Sequence, residues 1–187
     1  MPALHDAQIA ASPWVKRFAA YIPQGGLVLD LACGGGRHSH LLAQLGYAVL
    51  AVDQDVAAME QSPHASITPK ALNLELEEWP LAQVSCQGIV ATNYLYRPHL
   101  DRLPEMLSEG GVLIYETFAQ GNAQFGKPSN PDFLLKPGEL LALAARHGLK
   151  VLAYEDIYVN EPKPAMVQRL CALKDGSKGH IPLQFQA

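Results

Sequence analysis

From Gly26 onward, short apolar runs alternate with stretches whose apolar residues recur every three or four positions. That alternation predicts a parallel sheet with helices on both faces. LVLDLA (Leu27–Ala32), YAVLAVD (Tyr47–Asp53), GIVATN (Gly88–Asn93) and GGVLIYET (Gly110–Thr117) read as buried strands, and Ile67–Leu72 as a weaker one. Arg37–Leu45 has a helical period, with His38, Leu41, Leu42 and Leu45 on one face and Gly46 as its stop; a short polar helix is expected from Asp55. Pro104 must start or kink the helix between the fourth and fifth strands. Residues 119–138, crowded with Gly and Pro, predict an ordered loop of the kind that forms lids and binding loops. A helix over Glu139–His147 stops at Gly148, and LKVLAYEDIYV and MVQRLCAL, separated by NEPKPA, predict a closing antiparallel hairpin. Near the start, Ser12 is placed as an N-cap and Pro13 as the first helical residue, while Trp14, Phe18 and Tyr21 recur at helical spacing. Residues 1–24 are therefore expected to cover an apolar face, with Trp14 as a core plug.

The 187 residues suit one domain spanning 1–187, and 49% apolar against 17% charged residues argues against disorder. A net charge of −4 provides no basic field for phosphate backbones, so nucleic acid is disfavoured as a partner. Between Arg37 and Arg97 the only Lys or Arg is Lys70, against Asp53, Asp55, Glu60, Glu75, Glu77 and Glu78, so a cationic ligand would meet little repulsion there. Cysteines at 33, 86 and 171 are odd in number and scattered, which is no disulfide framework, and Met1–Ala20 lacks the layout of a leader. A cytoplasmic location is expected. No run of 18 apolar residues is present to span a bilayer.

The chemistry concentrates in VLDLACGGGRHS, a strand that ends in three glycines and opens directly into a helix. Glycines admit close approach of a ligand to the backbone, and a helix start presents free N–H groups. Asp53, ending the next strand 17 residues after Gly36, is placed to accept from both hydroxyls of a ribose. A dinucleotide fingerprint needs G-x-G-x-x-G/A, but counting from Gly34 the last position is Ser39. Asp30, at the end of the first strand, would repel a pyrophosphate and suits the sulfonium and amino groups of S-adenosylmethionine, directly or through the N–H groups of its own turn.

VLDLACGGGRHS followed by VLAVDQD resembles motifs I and II of the class I S-adenosylmethionine-dependent methyltransferases. The resemblance runs on through ALNLE, GIVATNYLYRPHL and GGVLIYETF. NYLYRP, YETF and FGKPSNPDFLLKPGELL look closest to a small bacterial branch near the tellurite-resistance and thiopurine-type methyltransferases. It implies an α/β Rossmann-like three-layer domain with a seven-stranded, mostly parallel sheet, strand order 3-2-1-4-5-7-6, and an antiparallel last strand. It also implies that Asp30, Ala32, Cys33, Gly34 and Gly36 border the methionine part of the cofactor. Asp53 binds ribose with Gln54 beside it, Asn73 and the backbone of Leu74 read adenine, and Asn93 sits near the methionine end. Ala32 departs from the glycine usual at its place, and Asn73 from the usual Asp. Tyr94, Tyr96 and Arg97 are expected to face the transferred methyl or its acceptor, so Asn93, Tyr94 and Arg97 are the candidate catalytic residues. Arg97 would anchor an anionic acceptor, with Lys127 assisting.

Methyl transfer depends on in-line positioning and exclusion of water. A thiol or chalcogen anion needs orientation alone, whereas a hydroxyl or ammonium nucleophile needs a proton acceptor, for which Tyr94, Tyr115, Glu116 and His38 are candidates. Simpler roles stand beside these. Cys33 reads as a small packing residue, His38 as a satisfied core histidine, and Glu75, Glu77 and Glu78 as a solvated cluster. His38 and His40 face different sides of their helix, so no metal site is expected. NYLY stands where base-modifying enzymes carry N-P-P-Y, so a flipped base loses its usual stacking clamp, and the expected lack of an added recognition domain favours a small-molecule acceptor such as a thiol or chalcogen oxyanion. The alternatives are a nicotinamide-dependent oxidoreductase, a non-catalytic S-adenosylmethionine-binding subunit and an RNA methyltransferase.

Overall fold

The computed structural model describes residues 10–175. The apolar runs become β1 (Leu27–Leu31), β2 (Ala48–Asp53), β3 (Ile67–Ala71), β4 (Cys86–Thr92), β5 (Leu107–Phe118), β6 (Lys150–Val159) and β7 (Ala165–Leu173). They form one sheet in the order β3-β2-β1-β4-β5-β7-β6. The first five strands pair in parallel, while β7 runs antiparallel to both β5 and β6. The topology implied by the family resemblance is thus the one observed. β5 starts three residues earlier than its apolar run, because Leu107 pairs with Cys86 across a bulge before Val112 pairs with Gly88.

Alternation along the central strands sorts their side chains to two cores. Val28, Val49, Val90, Val112 and Ile114 pack with Trp14, Phe18 and Leu42 on one face. Leu29, Leu31, Ile89 and Leu113 pack with Leu103, Leu140 and Leu143 on the other. The first face is covered by α1 (Pro13–Phe18), α2 (Arg37–Gln44) and the single turn α3 (Ala57–Glu60). The second is covered by α4 (Arg102–Met106), which carries Pro104 in its first turn, and α5 (Glu139–Arg146).

The N-terminal cover is shorter than its apolar spacing predicts: α1 tightens into a 3-10 turn at Ala19–Tyr21, and residues 1–9 of the expected cover lie outside the described residues. Ser12 Oγ accepts from Trp14 N–H as the N-cap, and Trp14 Nε1 donates to the Leu170 carbonyl, which makes Trp14 a core residue. Ile22 packs over Gly88 so closely that a Cβ there would stand 2.8 Å from its side chain. Tyr47 Oη lies 3.0 Å from the Ala19 carbonyl oxygen and 2.8 Å from that of Ile22, fastening the end of this segment to the sheet.

Tyr47→Phe keeps the ring but leaves those buried carbonyls short of a donor. It is expected to lower stability by about 1–3 kcal/mol, read from denaturant midpoints at unchanged m-value.

Candidate active site

Between β1 and α2 the chain reverses through three left-handed residues in alternation: Ala32 (φ 54°), Gly34 (φ 52°) and Gly36 (φ 81°). Cys33 N–H donates to the Val52 carbonyl and Gly36 N–H to that of Cys33, which pins the bend to β2 and closes it. A Cβ at Gly36 would press on the flexible end of Met59 at 2.8 Å, and it is the left-handed φ that calls for glycine there. Gly35 is different: its backbone is not left-handed and nothing in the protein lies within 4 Å of where its Cβ would be. Neither the turn nor the packing demands glycine there, and the open surface over Gly34 and Gly35 fits close approach by a ligand.

Asp53 faces this bend from the end of β2. Its Oδ2 accepts from Gly34 N–H at 2.8 Å, and its Oδ1 from Asp55 N–H at 3.2 Å. Gln54 and Asn73 meet next to it, Gln54 Nε2 donating to Asn73 Oδ1 at 3.3 Å; the same oxygen accepts from Glu75 N–H at 2.9 Å. Leu74 is buried between these exposed neighbours. The structure therefore brings Ala32, Cys33, Gly34, Gly36, Asp53, Gln54, Asn73 and Leu74 to one edge of the sheet.

Asp30 does not lie open at that edge. It is buried beneath the bend, where Ser39 Oγ donates to Oδ2, and burial pushes its carboxyl up to about 7 against that bond. Any influence on a ligand therefore passes through the bend rather than by direct contact. His38 is buried on the same side. Nε2 accepts from Ser12 N–H at 3.1 Å, Nδ1 lies 3.3 Å from Thr92 Oγ1, and burial lowers its pKa to about 4. It is a neutral, satisfied core histidine. Cys33 lies 3.6 Å from the Met59 sulfur, and burial raises its thiol to about 12, so it packs and is no nucleophile.

At the end of the neighbouring strand β4, Asn93 is also left-handed (φ 55°), held by its N–H bond to the Glu116 carbonyl. Asparagine tolerates this conformation better than other side chains with a Cβ. Beyond it, Tyr115 Oη donates to the Tyr94 carbonyl at 2.7 Å. The Tyr94 hydroxyl is buried with no partner among the described residues, and burial raises its pKa. Arg97, expected to face an acceptor, points its guanidinium elsewhere: Nε and Nη2 bond both Glu139 oxygens, Nη1 the Asp132 carbonyl and Nη2 that of Leu134. Its donors are spent on holding the 119–138 loop. That loop is ordered, with 3-10 turns at Asn122–Gln124 and Pro131–Phe133, and its ends are joined where Leu135 N–H donates to Phe118 O and Gln120 N–H to Leu135 O.

Sequence reasoning missed the cleft this loop creates. About 300 Å³ opens between Asn93, Tyr94, Thr117, Phe118, Phe133 and Glu75, at the carboxyl ends of β4 and β5. Glu75 was read as solvated surface, and Phe133 carried no signal within a loop. A larger depression of about 670 Å³, lined by Trp79, Ser85, Arg102 and Met106, lies at the amino ends of the same strands, away from the bend. Among the described residues no group of His, Cys, Asp or Glu is arranged to hold a metal ion, and no helix is long and apolar enough to cross a membrane.

Residues 15–80, which carry the bend and Asp53, match the family of the tellurite resistance protein TehB. The fold is similar to that of TehB from Haemophilus influenzae (TM-score 0.73, 20% identity), over 91% of this chain and 64% of that one. The class I methyltransferase fold is thereby shown. The same fold is shared with a TehB-like S-adenosylmethionine-dependent methyltransferase from Corynebacterium glutamicum (TM-score 0.60, 18% identity, 85% of each chain). It is shared too with the 1,6-didemethyltoxoflavin-N1-methyltransferase of Burkholderia thailandensis (TM-score 0.64, 16% identity), over 87% of this chain and 77% of that one. No curated protein matches the chain in sequence. Within this methyltransferase fold the strand order reverses between β1 and β4, which places Ala32 and Asn93 on the two lips of the crevice where such sheets bind ligands.

Asp30 and His38 make stability depend on pH in opposite senses. Native Asp30 keeps its proton up to about 7 while the unfolded carboxyl loses it near 3.8, so the native state binds more protons and this contribution falls as pH rises between those values. Native His38 stays neutral down to about 4 while the unfolded ring protonates near 6.5, so its contribution rises with pH over that window. Asp30→Asn is expected to add, relative to the parent, a rise in stability from pH 4 to 7, and His38→Gln a fall from pH 4 to 6.5. Each change is on the order of 2–4 kcal/mol, measured by denaturation across pH. At Asn93 the backbone sets a second expectation: Asn93→Gly keeps the midpoint within about 0.5 kcal/mol, whereas Asn93→Val costs about 2 kcal/mol.

Proposed function

We propose that the protein is an S-adenosylmethionine-dependent methyltransferase acting on a small-molecule acceptor. The reading is carried by the uncrowded bend at Gly34–Gly35 set against Asp53 at the switch point of the sheet. The TehB family match and the neighbouring N1-methyltransferase, whose structure holds S-adenosylhomocysteine, support it.

On this reading Ala32, Cys33, Gly34 and Gly36 border the methionine part, with Asp30 acting through the bend. Asp53 accepts from the ribose with Gln54 alongside, and Asn73 and the Leu74 backbone edge the adenine. The bond between Asn73 and Gln54, at 3.3 Å, is the weakest at this corner and is the one that yields to a ligand. The bound cofactor supplies an electrophilic methyl on a sulfonium. Asn93 and Tyr94 orient the acceptor where β4 ends, and the 119–138 loop, stapled by Arg97, forms the wall that excludes water. Arg97 is then a positioning residue rather than an anchor for an anionic acceptor. A nicotinamide dinucleotide is less well served, because the Gly34 N–H that would meet its pyrophosphate already donates to Asp53.

Asp53→Ala removes a charged acceptor for ribose hydroxyls. It is expected to weaken S-adenosylhomocysteine binding by about 1–3 kcal/mol, roughly 5- to 150-fold, in calorimetric titration. Unchanged affinity would place the ribose elsewhere, and tight NADH binding without any response to S-adenosylhomocysteine would replace the methyltransferase reading with an oxidoreductase.

A further inference from the structure

The walls of the cleft beside Asn93 define what it can hold. Tyr94, Phe118 and Phe133 supply rings, and Glu75 is the one Asp, Glu, His, Lys or Arg among its described lining residues. Among the described residues no Lys or Arg lines it; Lys127 stands next in sequence to the lining residue Pro128 without being part of the lining, and Arg97, two residues beyond Leu95, is paired with Glu139. An anionic acceptor would thus meet a carboxylate with no counter-charge in the described lining.

Apart from Glu75 itself, proton acceptors are equally scarce. Glu116 is held by Arg169, Tyr115 spends its hydroxyl proton on the Tyr94 carbonyl, and both nitrogens of His38 are engaged in the core. Burial holds the Tyr94 hydroxyl in its protonated form. An acceptor that must shed a proton would give it to Glu75 and so discharge the one carboxylate that favours positive charge there, whereas a nucleophile with no proton to lose keeps that charge. A flat, neutral molecule suits the rings, and a nucleophile that gains positive charge suits both the rings and Glu75.

We propose that this cleft takes a flat heteroaromatic acceptor whose nucleophile is a neutral, proton-free ring nitrogen, and that Glu75 selects for the cation formed on it. The inference rests on the methyl-transfer reading above. In the step the nitrogen lone pair forms the N–CH3 bond as the S–CH3 bond breaks and its electron pair returns to sulfur. The positive charge moves from sulfonium to ring, and no proton is released. An oxyanion or thiolate acceptor, expected from the sequence, would instead bring negative charge towards Glu75.

The test uses the full chain and two flat two-ring probes of opposite charge, 1-methylquinolinium and 2-naphthoate, titrated calorimetrically with and without S-adenosylhomocysteine. Quinoline is supplied as a trial acceptor and its methylation followed by S-adenosylhomocysteine release. The cation is expected to bind about tenfold more tightly than the anion, with Glu75→Gln collapsing most of that preference. Phe133 is a half-exposed loop residue, so Phe133→Lys tests the same point without disturbing the core and is expected to reverse the order. Equal or tighter binding of naphthoate or selenite, or a preference that survives Glu75→Gln, overturns the proposal. Binding of S-adenosylhomocysteine without any preference for the cation overturns it while the methyltransferase reading stands. A Glu75-dependent preference with no S-adenosylhomocysteine binding removes the methyltransferase reading and leaves the charge selection of the cleft.

Discussion

Two residues that carry a Cβ, Ala32 and Asn93, hold left-handed backbone at the ends of adjacent strands. Each conformation costs about 1–2 kcal/mol where an extended residue would cost nothing. The sheet supplies what keeps them there: Cys33 N–H is bonded to β2 through Val52, and Asn93 N–H to β5 through Glu116. Both strands turn away at adjacent levels, and the described residues leave the surface over Gly34 and Gly35 open. Asp53 borders that surface, and the aromatic cleft opens where β4 ends.

The second organising contact is Arg97. Its bonds to Glu139 and to the carbonyls of Asp132 and Leu134 convert a loop rich in Gly and Pro into a wall. Gln168 reinforces it from β7 by donating to the Lys136 carbonyl. Arg97, read from the sequence as an anchor for an anion, thus bonds the carbonyls on either side of Phe133, an aromatic ring of the cleft.

Charge follows the same division between edge and interior. Asp30 and His38 are titratable groups sealed under the bend, His38 neutral at pH 7 and Asp30 pushed up to about 7, whereas Asp53 and Glu75 stand at the edge. Burial withdraws from the surface the carboxylate that the sequence placed near a sulfonium, while two others face the crevice. Favourable treatment of positive charge is thus retained at the edge, though by residues different from the one the motif alone suggests.

Element identity, strand burial and the glycine bend were legible in the chain, because they rest on local period and on backbone freedom, which neighbours in sequence determine. Strand order came from the motif resemblance and not from periodicity, which carries no information on which strands adjoin. The destinations of Arg97, Glu75 and Phe133 were decided only in three dimensions. Arg97 meets a helix 42 residues away, and Glu75 joins the cleft because its neighbour Leu74 is buried at the end of the crossover from β3. Local pattern cannot report such meetings: a charged or aromatic side chain takes its role from the partner that folding places opposite it.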